Sequence, residues 1–159
     1  MKKLLVFCAF FFAVIAGAGP VAAAPVDDVL LELTYKPNQL CSYPVQLVVT
    51  GKSKLIELPG DRIFIASPGQ EVTITNLRTG ESETFLITGS THAQVEDDGT
   101  TEVTVTGLNI VLNPRESQSD EPGIFLLEGN FNFALKADGT EERVFSGTGE
   151  VTDICALLE

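Results

Sequence analysis

The sequence predicts an all-β protein. Short runs alternate apolar and polar residues with period two, as where Val45, Leu47 and Val49 interleave with Gln46, Val48 and Thr50. Gly, Pro and Asp punctuate these runs at regular spacing, and no helical periodicity of useful length occurs. Together these features specify about nine strands in an antiparallel β-barrel (a lipocalin-like meander) or a β-sandwich, with one disulfide.

The start of the chain sets the compartment. Lys2 and Lys3 precede an apolar run over 4–16, and small residues follow through Gly17, Gly19 and Ala22 to Ala24. That is the pattern of a secretory signal peptide over 1–24, since the run is shorter than the roughly 18 residues a spanning helix needs. Cys8 leaves with it. Cys41 and Cys155 remain, and an even pair in an oxidising compartment is expected to be a disulfide. The rest divides into an N-terminal leader or edge strand over 25–40 and a single β-domain over 41–159, with no later stretch able to span a bilayer.

The chain carries 10 basic and 22 acidic residues, a net charge of −12; loss of Lys2 and Lys3 leaves 8 − 22 = −14. Such a charge opposes nucleic acid and anionic membrane surfaces and favours a soluble monomer.

In chain order, strands are expected around 45–49, 55–58 and 62–66, with Pro59, Gly60 and Asp61 turning between the last two. Ile63, Phe64, Ile65 and Ala66 are apolar on both faces, which predicts a central strand covered on each side. Val72 and Ile74 alternate with Thr73 and Thr75, Arg78 to Gly80 turn, and Phe85 and Ile87 alternate with Thr84 and Thr88: a hairpin rich in β-branched residues. Asp98-Gly99 and Asp138-Gly139 each open a further hairpin, because that turn needs positive φ. Strands follow at 102–106, 109–112, 124–128 and 130–136, the last with Phe131, Phe133 and Leu135 on a core face. A polar loop occupies 113–123. The final strand covers 143–151, its Gly147 and Gly149 permitting a bulge or bend, and Asp153 caps a helical turn through Leu157.

Several of these stretches carry a resemblance: Cys41-Ser42-Tyr43-Pro44-Val45, the run Glu71 to Leu77, the Asp-Gly hairpins, and the closing Gly149 to Leu157 with Cys155 inside it. The chain resembles small secreted β-proteins of unknown function from high-GC Gram-positive bacteria. The resemblance implies export, the disulfide and a β-fold, and it brings no catalytic residue.

Catalytic chemistry has little to draw on. His92 is the one histidine, so a Ser-His-Asp arrangement would need Ser90 beside it and Asp97 or Asp98 behind it. Alternation instead places Ser90, His92, Gln94 and Glu96 along one solvated face. No catalytic residue and no cofactor are expected. Transition-metal sites want several His or Cys ligands; calcium alone has candidate oxygens, in Asp97, Asp98, Asp120 and Glu121, without EF-hand spacing.

The expected function is that of a secreted, non-enzymatic binding module for a small apolar ligand or an extracellular protein. The alternatives are an inhibitor or surface-interaction protein acting through loop 113–123, and a hydrolase using carboxylates or His92.

Overall fold

The computed structural model describes residues 29–114, 122–139 and 141–159. The expected signal peptide over 1–24, most of the polar loop, and Asp120 and Glu121 with it, lie outside those residues. Among the described residues ten strands run in chain order: β1 Val29–Tyr35, β2 Val45–Thr50, β3 Lys54–Leu58, β4 Arg62–Ala66, β5 Glu71–Asn76, β6 Ser82–Leu86, β7 Ser90–Val95, β8 Thr101–Asn113, β9 Gly123–Leu135 and β10 Glu141–Asp153. The short helix α1, Ile154–Leu157, follows, capped by Asp153, whose Oδ1 accepts from Ala156 N.

Every pairing is antiparallel. One sheet has the order β1-β2-β5-β6, the other β10-β9-β8-β7-β4-β3. Among the described residues neither sheet closes on itself, so β1, β6, β10 and β3 are edges. The Asp-Gly hairpins form as expected, with Gly99 at φ 86° and Gly139 at φ 80°.

Two cores follow from two apolar faces. The first lies under the four-stranded sheet, where Val45, Leu47, Val49, Val72 and Ile74 meet Leu112, Ile124 and Ile154, all buried. The second gathers odd-numbered residues of β8 and β9, among them Val103, Val105, Val111, Phe125, Leu127, Phe131, Phe133 and Leu135, with Phe145 packed against them. Phe131, Phe133 and Leu135 are therefore core, as the alternation indicates.

The second core requires the six-stranded sheet to fold over on itself. Along β9, Phe125 and Asn132 are seven residues apart, roughly 23 Å in a straight strand at about 3.3 Å per residue. Yet Phe145, beside Ser146 in the rung that pairs with Asn132, has its ring centroid 5.5 Å from that of Phe125. The crease falls where Gly107 pairs with Gly129 and Gly129 with Gly149, three glycines in one transverse row, each at positive φ. In an inner arm (108–113, 123–128, 150–153) the β8 and β9 stretches thus pack on both faces, with Ile110, Leu112, Ile124 and Leu126 turned to the first core and Val111, Phe125 and Leu127 to the second, while the β10 stretch is largely exposed. The outer arm carries the other halves of β8, β9 and β10, extended by β7, β4 and β3.

Two expectations are corrected here. The pairs of strands expected at 102–106 with 109–112, and at 124–128 with 130–136, are each one strand of 13 residues running through its glycine. The strand at 62–66 is not central: β4 lies one place from the edge and all its apolar residues are only half-buried. The apolar stretches covered on both sides are those of the inner arm.

Near the chain's end, Cys41 and Cys155 form the disulfide, Cα atoms 5.3 Å apart. Beside it the hydroxyl of Tyr43, 1% exposed, donates to Cys155 O at 2.8 Å. Burial, then the carboxylates of Asp153 and Glu159, push the Tyr43 phenol up to about 12, against the opposing pull of Arg78. The folded state therefore holds this proton more tightly than the unfolded chain. Stability from this source is complete below about pH 10 and is lost as pH rises towards about 12, a loss on the order of 1 kcal/mol once solvent screening is allowed for. Urea unfolding across that range should show the parent losing stability that Tyr43→Phe does not lose, although the variant starts about 1 kcal/mol lower for want of the hydrogen bond. Tyr35, raised by burial in the same direction, is common to both proteins. Parallel pH profiles for the two would rule this account out.

Candidate functional site

Among the described residues, Ser90, His92 and Asp98 each have other neighbours. Ser90 and His92 sit two apart on one face of β7, but Ser90 Oγ is bonded to Thr106 Oγ1 at 2.7 Å, and His92 has Phe64 against its ring, centroids 4.6 Å apart. Asp97 and Asp98 lie in the turn between β7 and β8, where Asp98 Oδ1 accepts from Thr100 N at 2.9 Å. That bond, which stabilises the carboxylate, holds Asp98 below the usual carboxylate range. Among the described residues no group of three or more His, Cys, Asp or Glu comes together as a metal site. Asp97 and Asp98 are turn residues.

What the structure does bring together is a surface on the outer arm. The inner arm is three strands wide, so it covers the outer arm only from β10 to β8; β7, β4 and β3 project beyond it. The strand register shows which residues share the core-forming face there. Val103 pairs with Ala93, Ala93 with Ile63, and Ile63 with Glu57; Val105 pairs with Thr91, Thr91 with Ile65, and Ile65 with Leu55. Burial fades along those rows, from 4% exposure at Val103 and Val105, through half-buried Ile63 and Ile65, to 39% at Leu55. Val95, on the same face, is 44% exposed. The result is a largely apolar surface, the trough, over β3, β4 and β7, with Thr91 and Glu57 also in its rows, continuous with the second core and open to solvent.

The opposite face of these strands is also a single row of neighbours. Ile56 pairs with Phe64, Phe64 with His92, His92 with Thr104, Thr104 with Asn132, and Asn132 with Ser146, one rung across six strands. A second rung places Ser90, Thr106, Asn130 and Thr148 beside it. One rung on, Glu102 and Arg143 form an exposed ion pair at 2.6 Å, a contact of small energetic weight at the surface.

Sequence reasoning missed both surfaces. The only signal available was the two-sided apolar run 62–66, which fits a buried strand and a projecting one equally well.

No protein-family model, no curated protein and no solved structure matches the chain.

Proposed function

We propose that the chain is a secreted, non-enzymatic binding module on a sandwich-like β-scaffold, and that it takes a small apolar ligand in the trough over β3, β4 and β7. One observation supports this above all. Leu55, Ile63, Ile65 and Val95 stand on the core-forming side of the six-stranded sheet, yet Ile63 and Ile65 are only half-buried and Leu55 and Val95 are 39% and 44% exposed. Uncovered apolar surface continuous with a core is costly in a soluble domain, so its retention points to a second molecule that covers it. Secretion rests on the signal peptide, with which the disulfide is compatible. The non-enzymatic reading rests on the separate structural duties found for Ser90, His92 and Asp98.

The probe anilinonaphthalene sulfonate tests the reading directly. Its fluorescence should rise on mixing with the protein, and Ile63→Ser and Leu55→Ser should each cut the rise by half or more. Both sites are partly exposed, so folding survives the change, which circular dichroism checks. No enhancement, or enhancement equal in parent and variants, would end the proposal. Enhancement that a protein from the culture medium displaces, where fatty acids do not, would replace the small ligand with a protein partner.

A further inference from the structure

We infer that the ligand of the trough is a single-chain amphiphile with a cationic head, an alkylammonium whose head sits at Glu57 and whose tail runs towards Val103. This rests on the reading of the trough as an apolar site and adds the chemistry of the head. One row of the sheet carries it. Glu57 pairs with Ile63, Ile63 with Ala93 and Ala93 with Val103, from edge strand β3 to the second core. Glu57 is exposed, Ile63 and Ala93 are half-buried, and Val103 is 4% exposed. A carboxylate thus stands at the wet end of a row whose other end is dry. From β3 to β8 the row crosses three inter-strand spacings, roughly 14 Å, about the reach of an extended dodecyl chain.

No cation of the protein claims this carboxylate. Among the described residues Glu57 has no hydrogen bond or ion pair. The basic residues of the three strands, Lys54 and Arg62, alternate to the opposite face. Lys54 shares a rung with Ala66 and Ser90, and Arg62 one with Leu58 and Gln94, its Nε donating to Pro59 O at 2.9 Å. At the margins the acids also prevail. Asp61 and the run Glu96 to Asp98 lie in the turns at the Val95 end, against Lys52 ahead of β3 and Lys136 in the adjoining turn. The chain as a whole, at −12, attracts the same sign of ligand.

Other amphiphiles use less of the row. A fatty acid would set its own carboxylate beside Glu57, like charge against like. An uncharged chain would cover the apolar residues and gain nothing at Glu57. A cationic head with an apolar tail satisfies both ends. An inward-pointing charge on an edge strand can also keep that edge from pairing with another chain, a role the experiment separates from ligand recognition.

Isothermal titration calorimetry with three dodecyl probes below their micellar concentrations tests this: dodecyltrimethylammonium, an uncharged dodecyl ether of ethylene glycol, and dodecanoate. Affinity should fall in that order. The cation should bind about fivefold or more tightly than the uncharged probe, the worth of one exposed ion pair in the field of an acidic protein. Glu57→Gln should bring those two probes to within about twofold of each other and leave the uncharged one unchanged. Glu71→Gln, which removes the same charge from β5 in the other sheet, should keep the preference. Both residues are exposed, so folding survives, and urea midpoints matched to the parent verify that. If the uncharged probe binds and the cation binds no tighter, or if the preference survives Glu57→Gln, the head-group assignment is overturned while the apolar site stands. An intact order together with self-association of Glu57→Gln would make Glu57 a guard of edge β3 and overturn the assignment too. If none of the three probes binds, the trough itself is not a binding site.

Discussion

Reduction of the Cys41–Cys155 bond should lower the unfolding free energy by about 4–5 kcal/mol, as expected for a cross-link closing a loop of 114 residues. That is a large part of the roughly 5–15 kcal/mol that holds a typical domain together. Cys41 lies in the first core just ahead of β2, while Cys155 sits on α1, whose Ile154 and the following Leu158 are buried in that same core. The disulfide thus ties the four-stranded sheet to the last strand of the six-stranded one. Two hydrogen bonds reinforce the join, from Tyr43 to Cys155 O and from Asn76 Nδ2 to Leu158 O, each 2.8 Å. Urea titration with and without reductant measures the effect, and the double variant Cys41→Ala, Cys155→Ala should match the reduced protein. An unchanged midpoint would mean that the two sheets are held together by packing alone.

The second large effect belongs to the crease. Gly129→Ala should destabilise the protein by about 3–5 kcal/mol, from two sources that act together. At φ +146° the backbone lies where L side chains are strained, at a cost of about 1–3 kcal/mol. A Cβ at that position would also fall inside 3.0 Å of Thr148 O and of Gly149 Cα, backbone atoms that cannot rotate away, which adds roughly 1–3 kcal/mol of overpacking. Gly80→Ala is the matched control. Its φ is +82° but nothing lies within 4 Å of the added carbon, so only the conformational cost of about 1 kcal/mol applies. If Gly129→Ala costs no more than Gly80→Ala in urea unfolding, the close passage of β9 and β10 is not what holds the folded sheet in shape.

The local structure of this protein is written in its sequence. Alternation at 45–49 gives the face of β2 on which Val45, Leu47 and Val49 are buried at 1% exposure or less, and that of 131–135 gives Phe131, Phe133 and Leu135. Asp-Gly pairs mark two hairpins because their φ requirement is local. The disulfide follows from counting cysteines in a chain whose first residues read as an export signal. Each of these signals is carried by neighbours in sequence, and no long-range information is needed to read it.

Tertiary structure alone decided the rest. Period-two alternation assigns a residue to a face but does not say which strand lies beside it, so the rung from Ile56 to Ser146 exists only once six strands have taken their register. A run that is apolar on both faces, such as 62–66, shows that each face avoids water in some state of the molecule, without naming what covers it. Gly107 and Gly129 read singly as strand breaks and Gly149 as a bulge or bend, since a glycine that ends a strand and one that bends it look alike in sequence. Their alignment into one transverse row makes them a crease, and the crease folds the sheet so that the inner stretches of β8 and β9 are buried twice while β3, β4 and β7 are left projecting. The candidate binding surface lies on those projecting strands, and for that reason it emerges from the pairing of the strands and from no single stretch of the chain.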